Sequence, residues 1–600
     1  MRTVNEKIEQ LRTLMRDKGI DVYYIPNEDD HLSPEYTADY FKCKYFMSEF
    51  EGAGCMIVTQ DFAGLWTDGR YFTQAESDLK GTCIELMRMR QPGVPAPMAF
   101  LVEQTPENGC LGFDGHVVSA ADTVMLKKAL KKKNAKIHLD DDLVGILWEK
   151  ERPAMPEEPL YVLPKKYTGE TPAERIRRVR EAMKKKGADV LVLTTLEDPC
   201  WLLNVRGNDI ECTPVAYVFA IVTQRTVYYY ADKKRITDAV KKHFEKYKVT
   251  VRPYQGMRKD LEKLQNKTIW ADMRSFNAID YSRISTENQI INESSPILAF
   301  RACKNAAEIR NTRNAHVKDG VAMVKFLHWL KTNVGKIPMT EISAQDRLYA
   351  FREEGEGYIE PSFPTISAYK GNAAMLHYSA SEKSNAVIHP EGFLLVDSGG
   401  TYFDGTTDIT RTIALGPLSE EEKKYFTLVL KGMLALTRAH FLYGTTGNNL
   451  DILARGSLWD IDIDYQCGTG HGVGHVLAVH EGPHGIRWGM PANNRSNAVL
   501  EPGMIVSNEP GVYLPHKLGI RTENELLTVK GKKNFYGQFL HFETLTYCPI
   551  DLDAVDTQYL EDVDIQQLNT YHEDVYKTLS PYLDGEVLEW LKEATRRITR

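Results

Sequence analysis

VDSGGTYFDGTTDITRT, residues 396–412, sets two aspartates where a chain would usually bury apolar side chains. Asp397 directly follows the apolar run 393–396, and Asp408 comes 11 positions later, just past a Gly-rich turn. Burying an ionised carboxylate is unfavourable unless it is paired, and a divalent cation keeps several carboxylates ionised together. The stretch therefore predicts a buried β-hairpin whose end carries a metal site.

Three further motifs of the C-terminal half carry potential ligands: CGTGHGVGHVLAVHEGPH (467–484), GMIVSNEPGVY (503–513) and GIRTENELLTV (519–529). Glu509 ends the apolar strand 504–506, just before a Pro-Gly turn. Arg521, Glu523 and Glu525 should point to one face of a strand, because successive side chains alternate between faces. These motifs add two carboxylates and one imidazole to the pair of aspartates.

The complete candidate set contains four carboxylates and one imidazole: Asp397, Asp408, His471, Glu509 and Glu523. Each alone has a structural explanation, such as a turn cap or a core histidine. Together they form an oxygen-dominated set that suits Mn²⁺ and tolerates Co²⁺ or Zn²⁺. Four carboxylates carry a charge of −4, which two divalent ions balance. We therefore expect a dinuclear centre.

The N-terminal half contains an internal repeat. MRDKGIDVYYI (15–25) matches MKKKGADVLVL (183–193), and VTQDFAGLWTD (58–68) matches VTQRTVYYYAD (222–232). Each unit has the pattern of a helix, a Gly cap and an apolar strand, followed by more strands. We predict two related α/β domains, residues 1–160 and 161–300, joined by a Pro-rich linker. A strand-rich and Gly-rich domain at 301–550 and an acidic helical segment at 551–600 complete the chain.

Composition excludes several classes of protein. The 600 residues are 42% hydrophobic and 26% charged, with a net charge of −8, so there is no basic footprint for nucleic acid. No apolar run approaches the roughly 18 residues of a membrane span. Nine irregularly spaced cysteines suit free thiols. We expect no nucleic-acid partner, no membrane partner and a cytoplasmic localisation.

A set of short motifs spread along the chain resembles the M24, or pita-bread, metallopeptidases, and most closely the long, three-domain Xaa-Pro aminopeptidases. The motifs are WTDGRYF (66–72), WLLNVRGNDI (201–210), SFPTIS (362–367), HYS (377–379), DSGGTYFDGTTDITRT (397–412), GTGHGVG (468–474), VHEGP (479–483), EPG (509–511), GIRTEN (519–524) and FETLT (542–546). The resemblance implies two creatinase-like α/β domains followed by an α+β pita-bread catalytic domain, usually as a homodimer.

The resemblance also implies a role for each ligand. Asp397 would bind one metal ion in bidentate fashion, and Asp408 and Glu523 would bridge both ions. His471 and Glu509 would bind the second ion, and Glu509 would also act as general base. A metal-activated water would then attack the scissile carbonyl.

Other positions are assigned to the substrate by the same resemblance. His377 and His480 would steady the carbonyl and the oxyanion, and Arg521 would take part in substrate binding. Arg70 would contact residues beyond the proline; the alternative is a turn residue paired with Asp68.

Two positions depart from the family pattern. Cys467 stands where many members have a histidine that lines the substrate pocket, and we expect its thiol to line that pocket without binding metal. His475 stands where many relatives have a small polar residue. Both departures concern substrate preference rather than the ligands.

The expected activity is hydrolysis of the first peptide bond of peptides whose second residue is proline. The nearest alternative is a prolidase-type dipeptidase, although prolidases generally lack two full N-terminal domains. A non-catalytic pita-bread protein that binds peptides is the alternative from another class. The complete ligand set argues against it.

Overall fold

The computed structural model describes residues 2–33, 36–382, 384–489 and 497–600. The chain forms two compact units. The first comprises residues 1–164 and 170–297, and the second comprises residues 165–169 and 298–600.

The first unit contains two sheets with helices around them. Its first part consists of α1 (Val4–Lys18), β1 (Val22–Ile25), α2 (Cys43–Ser48), β2 (Cys55–Thr59), β3 (Ala63–Thr67), α3 (Phe72–Asp78), β4 (Glu85–Arg88), α4 (Pro97–Gln104), β5 (Cys110–Gly112), α5 (Ala120–Leu130), β6 (Lys136–His138) and α6 (Leu143–Trp148). After β7 (Tyr161–Val162) and α7 (Lys165–Thr168, in the second unit) follow α8 (Pro172–Lys186), β8 (Val190–Leu193), α9 (Glu197–Leu203), β9 (Val205–Arg206), β10 (Phe219–Thr223), β11 (Val227–Tyr230), α10 (Asp238–Tyr247), β12 (Val249–Arg252), α11 (Gly256–Glu262), β13 (Thr268–Trp270), α12 (Ala278–Tyr281) and β14 (Gln289–Ile291). The next helix, α13 (Pro296–Ala302), begins at the end of the first unit and belongs mostly to the second.

The two sheets of this unit have the same topology. Their strand orders are β4-β3-β2-β1-β5-β6 and β12-β11-β10-β8-β13-β14. In both, the first three strands in sequence pair antiparallel and the remaining pairs are parallel. The predicted α/β repeat is therefore confirmed.

The repeated sequence blocks occupy equivalent places because the same local signals act in both. Capping boxes at Thr3 and Thr171 start α1 and α8. Gly19 and Gly187, with φ of 65° and 73°, end these helices in the left-handed conformation that glycine adopts readily. The apolar strands β1 and β8 follow at once.

A buried polar loop links the two sheets of the first unit. The imidazole of His31 lies 2.6 Å from the Thr194 carbonyl oxygen and 2.8 Å from the Tyr254 hydroxyl. Tyr254 in turn donates to Asp30 at 2.6 Å, and Tyr217 donates to Asp29 at 2.8 Å. Burial raises the pKa of Asp30 to about 7. These contacts join the two α/β sheets within one unit.

The second unit combines long helices with antiparallel sheets. It consists of α14 (Ala306–Asn333), α15 (Glu341–Glu353), β15 (Tyr358–Pro361), β16 (Ile366–Tyr369), β17 (Phe393–Ser398), β18 (Gly400–Tyr402), β19 (Gly405–Thr406), β20 (Ile409–Ala414), α16 (Glu420–Thr437), β21 (His440–Leu442), α17 (Gly447–Trp459), β22 (Gly470–Gly472), β23 (Glu481–Ile486), β24 (Ile505–Asn508), β25 (Gly511–Leu514), β26 (Leu518–Arg521), β27 (Asn524–Asn534), β28 (Gly537–Thr544), α18 (Asp562–Leu579) and α19 (Gly585–Ala594). Short 3-10 helices occur at Asp39–Phe41, Lys131–Lys133, Lys233–Arg235, Lys370–Ala374, Leu552–Ala554, Thr557–Tyr559 and Ser580–Tyr582.

Two sheets of this unit position the candidate ligands. One has the order β16-β17-β20, and the other β21-β28-β27-β24-β22-β23. β17 and β20 pair antiparallel with Asp397 opposite Thr410, as the opening stretch predicts. Their connection is more than a turn, because β18 and β19 form a second short hairpin there that pairs with β15. Asp408 lies directly before β20.

The C-terminal helices pack into the same unit. Leu568, Val575 and Leu579 of α18 are buried in its hydrophobic core. Arg411 of β20 donates to the Tyr571 hydroxyl (2.9 Å) and also to the Glu523 carbonyl oxygen (2.6 Å). The C-terminal segment thus supports the strand next to a candidate ligand.

Among the described residues, none of the helices combines the length and apolar character needed to cross a bilayer.

Phe326 of α14 tests the core of the second unit. Its side chain is fully buried, so Phe326→Ala should lower the free energy of unfolding of this unit by about 3–5 kcal/mol. The neighbouring Lys325 makes a surface ion pair with Glu354 (2.6 Å), and Lys325→Ala should cost less than about 1 kcal/mol. Chemical denaturation followed by circular dichroism measures both. Equal effects of the two substitutions would contradict this packing.

Candidate metal centre

Five different segments supply the five candidate ligands. Asp397 lies on β17, Asp408 precedes β20 and His471 lies at the centre of β22. Glu509 follows β24, and Glu523 lies between β26 and β27. Because these strands belong to neighbouring antiparallel sheets, residues 126 positions apart come together.

Three of the five form a compact group. Asp408, His471 and Glu523 each offer one ligand atom, and these atoms lie within 4.8 Å of one another. The Nε2 atom of His471 is 3.4 Å from Asp408 Oδ2 and 3.4 Å from Glu509 Oε1. The structure therefore brings Glu509 to the same place.

The orientation of the His471 ring exposes one lone pair to these carboxylates. Its Nδ1 atom lies 3.0 Å from the Gly472 carbonyl oxygen, which can only accept a hydrogen bond. Nδ1 therefore carries the proton, and Nε2 faces Asp408 and Glu509. In the neutral ring, Nε2 is the atom that would bind a metal ion.

Burial makes these carboxylates unfavourable without a cation. Burial raises the pKa of Asp408 well above its usual value, and the neighbouring Asp397 and Glu509 raise it further. The pKa of Glu523 is raised for the same reasons, and Asp408 is the neighbouring charge with the largest effect. Within the described part of the chain, Asp397 Oδ1 and Glu523 Oε1 are buried without a hydrogen-bond partner. Divalent cations fit this set of oxygen donors and one imidazole nitrogen.

Arg521 is a buried cation beside the candidate ligands. Its guanidinium contacts Asp397 Oδ2 and donates to the hydroxyls of Thr410 (3.1 Å) and Tyr513 (2.7 Å). Burial and Arg521 act oppositely on the pKa of Tyr513, and burial dominates and raises it. Arg521 thus contacts the candidate ligand Asp397 and two hydroxyl groups next to it.

His480 lies against His471. The two rings are 4.1 Å apart in an edge-on arrangement. The next residue, Glu481, is buried and accepts hydrogen bonds from Lys304 and Arg301, both at 2.5 Å. Burial alone would raise the pKa of Glu481, but these two cations lower it below its usual value. They fix the segment that carries His480.

His377 lies in a segment that a single buried carboxylate organises. Glu341 accepts hydrogen bonds from the Tyr369 and Ala386 amides (2.7 and 2.8 Å) and from the Tyr378 hydroxyl (2.7 Å). His377 is half-buried and directly precedes Tyr378. Its position therefore depends on Glu341.

Cys467 lies in the loop that leads to His471. The buried Arg455 donates to the Cys467 carbonyl oxygen at 2.6 Å and to Asp451 at 2.6 Å. Asp451 also accepts from the Thr469 hydroxyl (2.5 Å), and the Thr469 carbonyl accepts from the Glu509 amide (2.8 Å). The same network thus fixes the loop and the backbone of Glu509. The half-buried Cys467 is not a member of the compact ligand group of the described residues.

The two remaining positions lie elsewhere. Arg70 belongs to the first unit, where it donates to both oxygens of Asp68 at 3.0 and 2.9 Å; its substrate contact stays a prediction. His475 is buried in the second unit, with its ring nitrogens 3.2 Å from the Thr312 hydroxyl and 3.1 Å from the Tyr167 carbonyl oxygen. His475 therefore anchors the segment 165–169.

Sequence reasoning missed four supporting groups. Glu481, Glu341 and Arg455 are of residue types that usually lie at the surface. Only Glu481 had a nearby sequence signal, because it follows His480. The fourth is the buried pair of Glu525 and His316, whose Oε2 and Nε2 atoms are 3.2 Å apart. The alternation of side chains along GIRTENELLTV placed Glu525 on the same face of the strand as Glu523. It gave no indication that His316 would be the partner of Glu525.

Family comparisons cover nearly the whole chain. Residues 310–530 match the model of metallopeptidase family M24, and residues 538–598 match the C-terminal region of that peptidase family. Two models of the creatinase/prolidase N-terminal domain match residues 7–140 and 151–308. The predicted order of two creatinase-like domains and a metallopeptidase domain is confirmed.

Curated relatives align over most of their length. A probable Xaa-Pro aminopeptidase P of Laccaria bicolor is 39% identical, with 98% of this chain and 93% of the relative covered. Aminopeptidase P2 of Arabidopsis thaliana is 37% identical, with 100% and 89% covered.

Solved structures give the same result. The X-prolyl aminopeptidase of Caenorhabditis elegans, described as a cytosolic enzyme with a di-nuclear active site, matches with a TM-score of 0.94 at 34% identity over 100% of both chains. An Xaa-Pro dipeptidase of Bacillus anthracis matches with a TM-score of 0.50 at 25% identity, over 64% of this chain and 99% of its own. The chain therefore belongs to metallopeptidase family M24, among its Xaa-Pro aminopeptidases.

Proposed function

We propose that this chain is a metal-dependent aminopeptidase that releases the first residue of peptides whose second residue is proline. The observation that carries the proposal is the group formed by Asp408, His471 and Glu523, with ligand atoms within 4.8 Å of one another. Asp397 and Glu509 complete the donor set. The product would be a free amino acid and a peptide with N-terminal proline.

The donor set would hold two divalent ions, and we propose Mn²⁺, with Co²⁺ or Zn²⁺ as substitutes. Four carboxylates balance two divalent charges, and oxygen donors favour the harder ions. When bound, such ions supply Lewis-acid polarisation of the scissile carbonyl and activation of water. Asp397, Asp408, His471, Glu509 and Glu523 would hold these ions.

Glu509 would take the proton of the attacking water. Its side chain is 20% exposed, whereas that of Asp408 is 5% exposed, so Glu509 is the more accessible carboxylate of the two. Its Oε1 atom accepts a hydrogen bond from the Ser507 hydroxyl at 3.0 Å, which leaves Oε2 for proton transfer.

His480 and His377 would stabilise the carbonyl oxygen as negative charge develops on it. His480 is held beside His471 by Glu481, and His377 is held by the contacts of Glu341. Arg521 would take part in substrate binding beside Asp397, which it contacts, and Arg70 would contact residues beyond the proline. Proline at the second position needs a pocket of its own, because its amide nitrogen lacks an N–H.

A prolidase-type dipeptidase is the second candidate function. The observation that favours the aminopeptidase is length, since the Bacillus anthracis dipeptidase aligns with only 64% of this chain. A non-catalytic peptide-binding protein would have no need for three buried carboxylates and the half-buried Glu509 around one imidazole.

We also propose that the chain forms a homodimer in the cytoplasm. Ile452, Leu453 and Trp459 of α17 and Trp488 expose large apolar side chains, and the two tryptophan rings are in contact at 6.2 Å. Exposed apolar surface of this kind favours association. All nine cysteines are free thiols, as a reducing compartment maintains. Sedimentation velocity of the chain and of Trp488→Glu tests the dimer.

The substrate assay tests the proposed function. The chelated chain should be inactive and should regain turnover of Xaa-Pro peptides with Mn²⁺, with Xaa-Ala peptides of equal length as the control. Longer peptides should be cleaved as well as dipeptides, since the proposed reaction needs only the N-terminal pair. Cleavage of dipeptides alone would establish the prolidase instead.

Asp408→Asn tests the metal centre. Loss of a bridging charge should lower metal content below two ions per chain and reduce kcat/KM by more than about 100-fold, since even partners outside the ligand shell contribute about 10–100-fold. Elemental analysis and turnover measure the two effects. Full metal loading with normal turnover would refute the assignment.

His480→Ala and His377→Ala test the oxyanion contacts. Each loses a hydrogen bond worth about 3 kcal/mol in the transition state, so kcat should fall by about 100-fold or more. Metal content and melting temperature should stay unchanged, which serves as the control. Reduced stability with normal kcat would mean that both histidines are structural.

Cys467→Ser tests whether the thiol binds metal. Because Cys467 lies outside the compact ligand group, the variant should keep its metal content and most of its activity. Cys467→His should change the preference among substrates rather than abolish turnover. A thiol reagent should inhibit the parent chain and a Cys83→Ser control, in which only an exposed thiol is removed. Metal loss from Cys467→Ser would place the thiol among the ligands.

A further inference from the structure

Two aromatic side chains protrude from the hairpin between β27 and β28. Asn534 pairs with Gly537, so Phe535 and Tyr536 are the two residues of the turn. Phe535 is 97% exposed and Tyr536 is 75% exposed, with their rings in edge-on contact at 5.6 Å. Such exposure of apolar surface is unfavourable in water.

The turn itself does not need these aromatic rings. It closes through a hydrogen bond from the Tyr536 amide to the Asn534 side chain (2.9 Å) and through Gly537, whose φ is 129°. Short polar residues and glycine are the usual choice in two-residue hairpin turns. The aromatic pair therefore has no role in forming the hairpin.

The neighbouring strand extends the apolar surface. Leu442 and Tyr443, at the end of β21, are also exposed, and the Tyr443 amide donates to the Gln538 carbonyl at 2.8 Å. We call Leu442, Tyr443, Phe535 and Tyr536 the hairpin tip. The Tyr443 hydroxyl donates to Glu501 at 2.7 Å.

Positive charge lies on the strand that leads to the protruding aromatic pair. Lys530, Lys532 and Lys533 are exposed, and within the described ranges none of them has an ion-pair partner. Residues 530–539 contain no Asp or Glu. At about 3.3 Å per residue, Lys532 and Lys533 lie roughly 7–10 Å behind Phe535. Interfacial segments bury their apolar face about 5–10 Å into the headgroup and acyl boundary, so lysines at this spacing would lie at the level of the headgroups.

We propose that the hairpin tip docks on anionic phospholipid membrane surfaces. Phe535 and Tyr536 enter the interfacial layer, where aromatic rings are favoured, and the lysines contact lipid phosphates. A convex tip fits a fluid surface, whereas two copies meeting tip to tip would bring six lysines together. Our expectation of no membrane partner rested on the lack of a spanning segment, and a peripheral contact needs none.

Vesicle binding of the full chain tests the proposal. The chain should co-sediment with phosphatidylcholine vesicles that contain phosphatidylserine, and more weakly when the salt concentration is raised to about 0.15 M. Phe535→Ser/Tyr536→Ser should abolish binding. Lys532→Gln/Lys533→Gln should weaken it by about 5-fold per lysine, since each contributes about 1 kcal/mol. The matched control is Tyr582→Ser, which removes a 63% exposed aromatic residue outside the tip.

Four results would overturn the proposal. The first two are no binding of the chain to anionic vesicles and equal binding by the tip variants. The third is a changed sedimentation coefficient of the tip variants without vesicles, which would indicate self-association. The fourth is that single-stranded DNA and free lipid headgroup displace the chain from the vesicles equally well. The variants' circular dichroism and melting temperature verify that they fold. These readouts do not involve peptidase activity, so the proposed function can fail independently.

Discussion

Repulsion among buried carboxylates is the constraint on which the second unit depends. Asp408 and Glu523 are both buried, and the negative neighbours of each raise its pKa further. Arg521 provides one fixed positive charge, at Asp397, which leaves most of the charge uncompensated. While these carboxylates are ionised, the remainder is balanced by cations from outside the chain. Folding and metal binding are therefore coupled in this unit.

The groups that support the centre are charged as well, and they act on backbone segments rather than on ligands. Lys304 and Arg301 fix Glu481, and Arg455 fixes the loop before His471. Each of these cations is buried and paired, which makes its geometry hard to change. Such pairs add little net stability, but they hold the segments that carry ligands and histidines in one arrangement.

The sequence allowed prediction of the features that local patterns determine. The paired helices, Gly caps and strands of the first unit follow from near neighbours, and the hairpin of Asp397 follows from its apolar run and its Gly-rich turn. The inserted hairpin of β18 and β19 was not predicted, because its pairing with β15 depends on a distant strand. The cations on Glu481 were not predicted either, since Arg301 lies 180 residues away. Long-range ion pairs leave no periodic signal.

One strand connects the two surfaces for which we infer a function. Glu523 directly precedes β27, and the hairpin tip directly follows its last residue, Asn534. Eleven residues of extended chain span roughly 33 Å. A membrane contact at the tip would therefore leave the metal centre about 30 Å from the lipid surface. Docking would localise the peptidase without covering its active site, because the length of β27 separates the two surfaces.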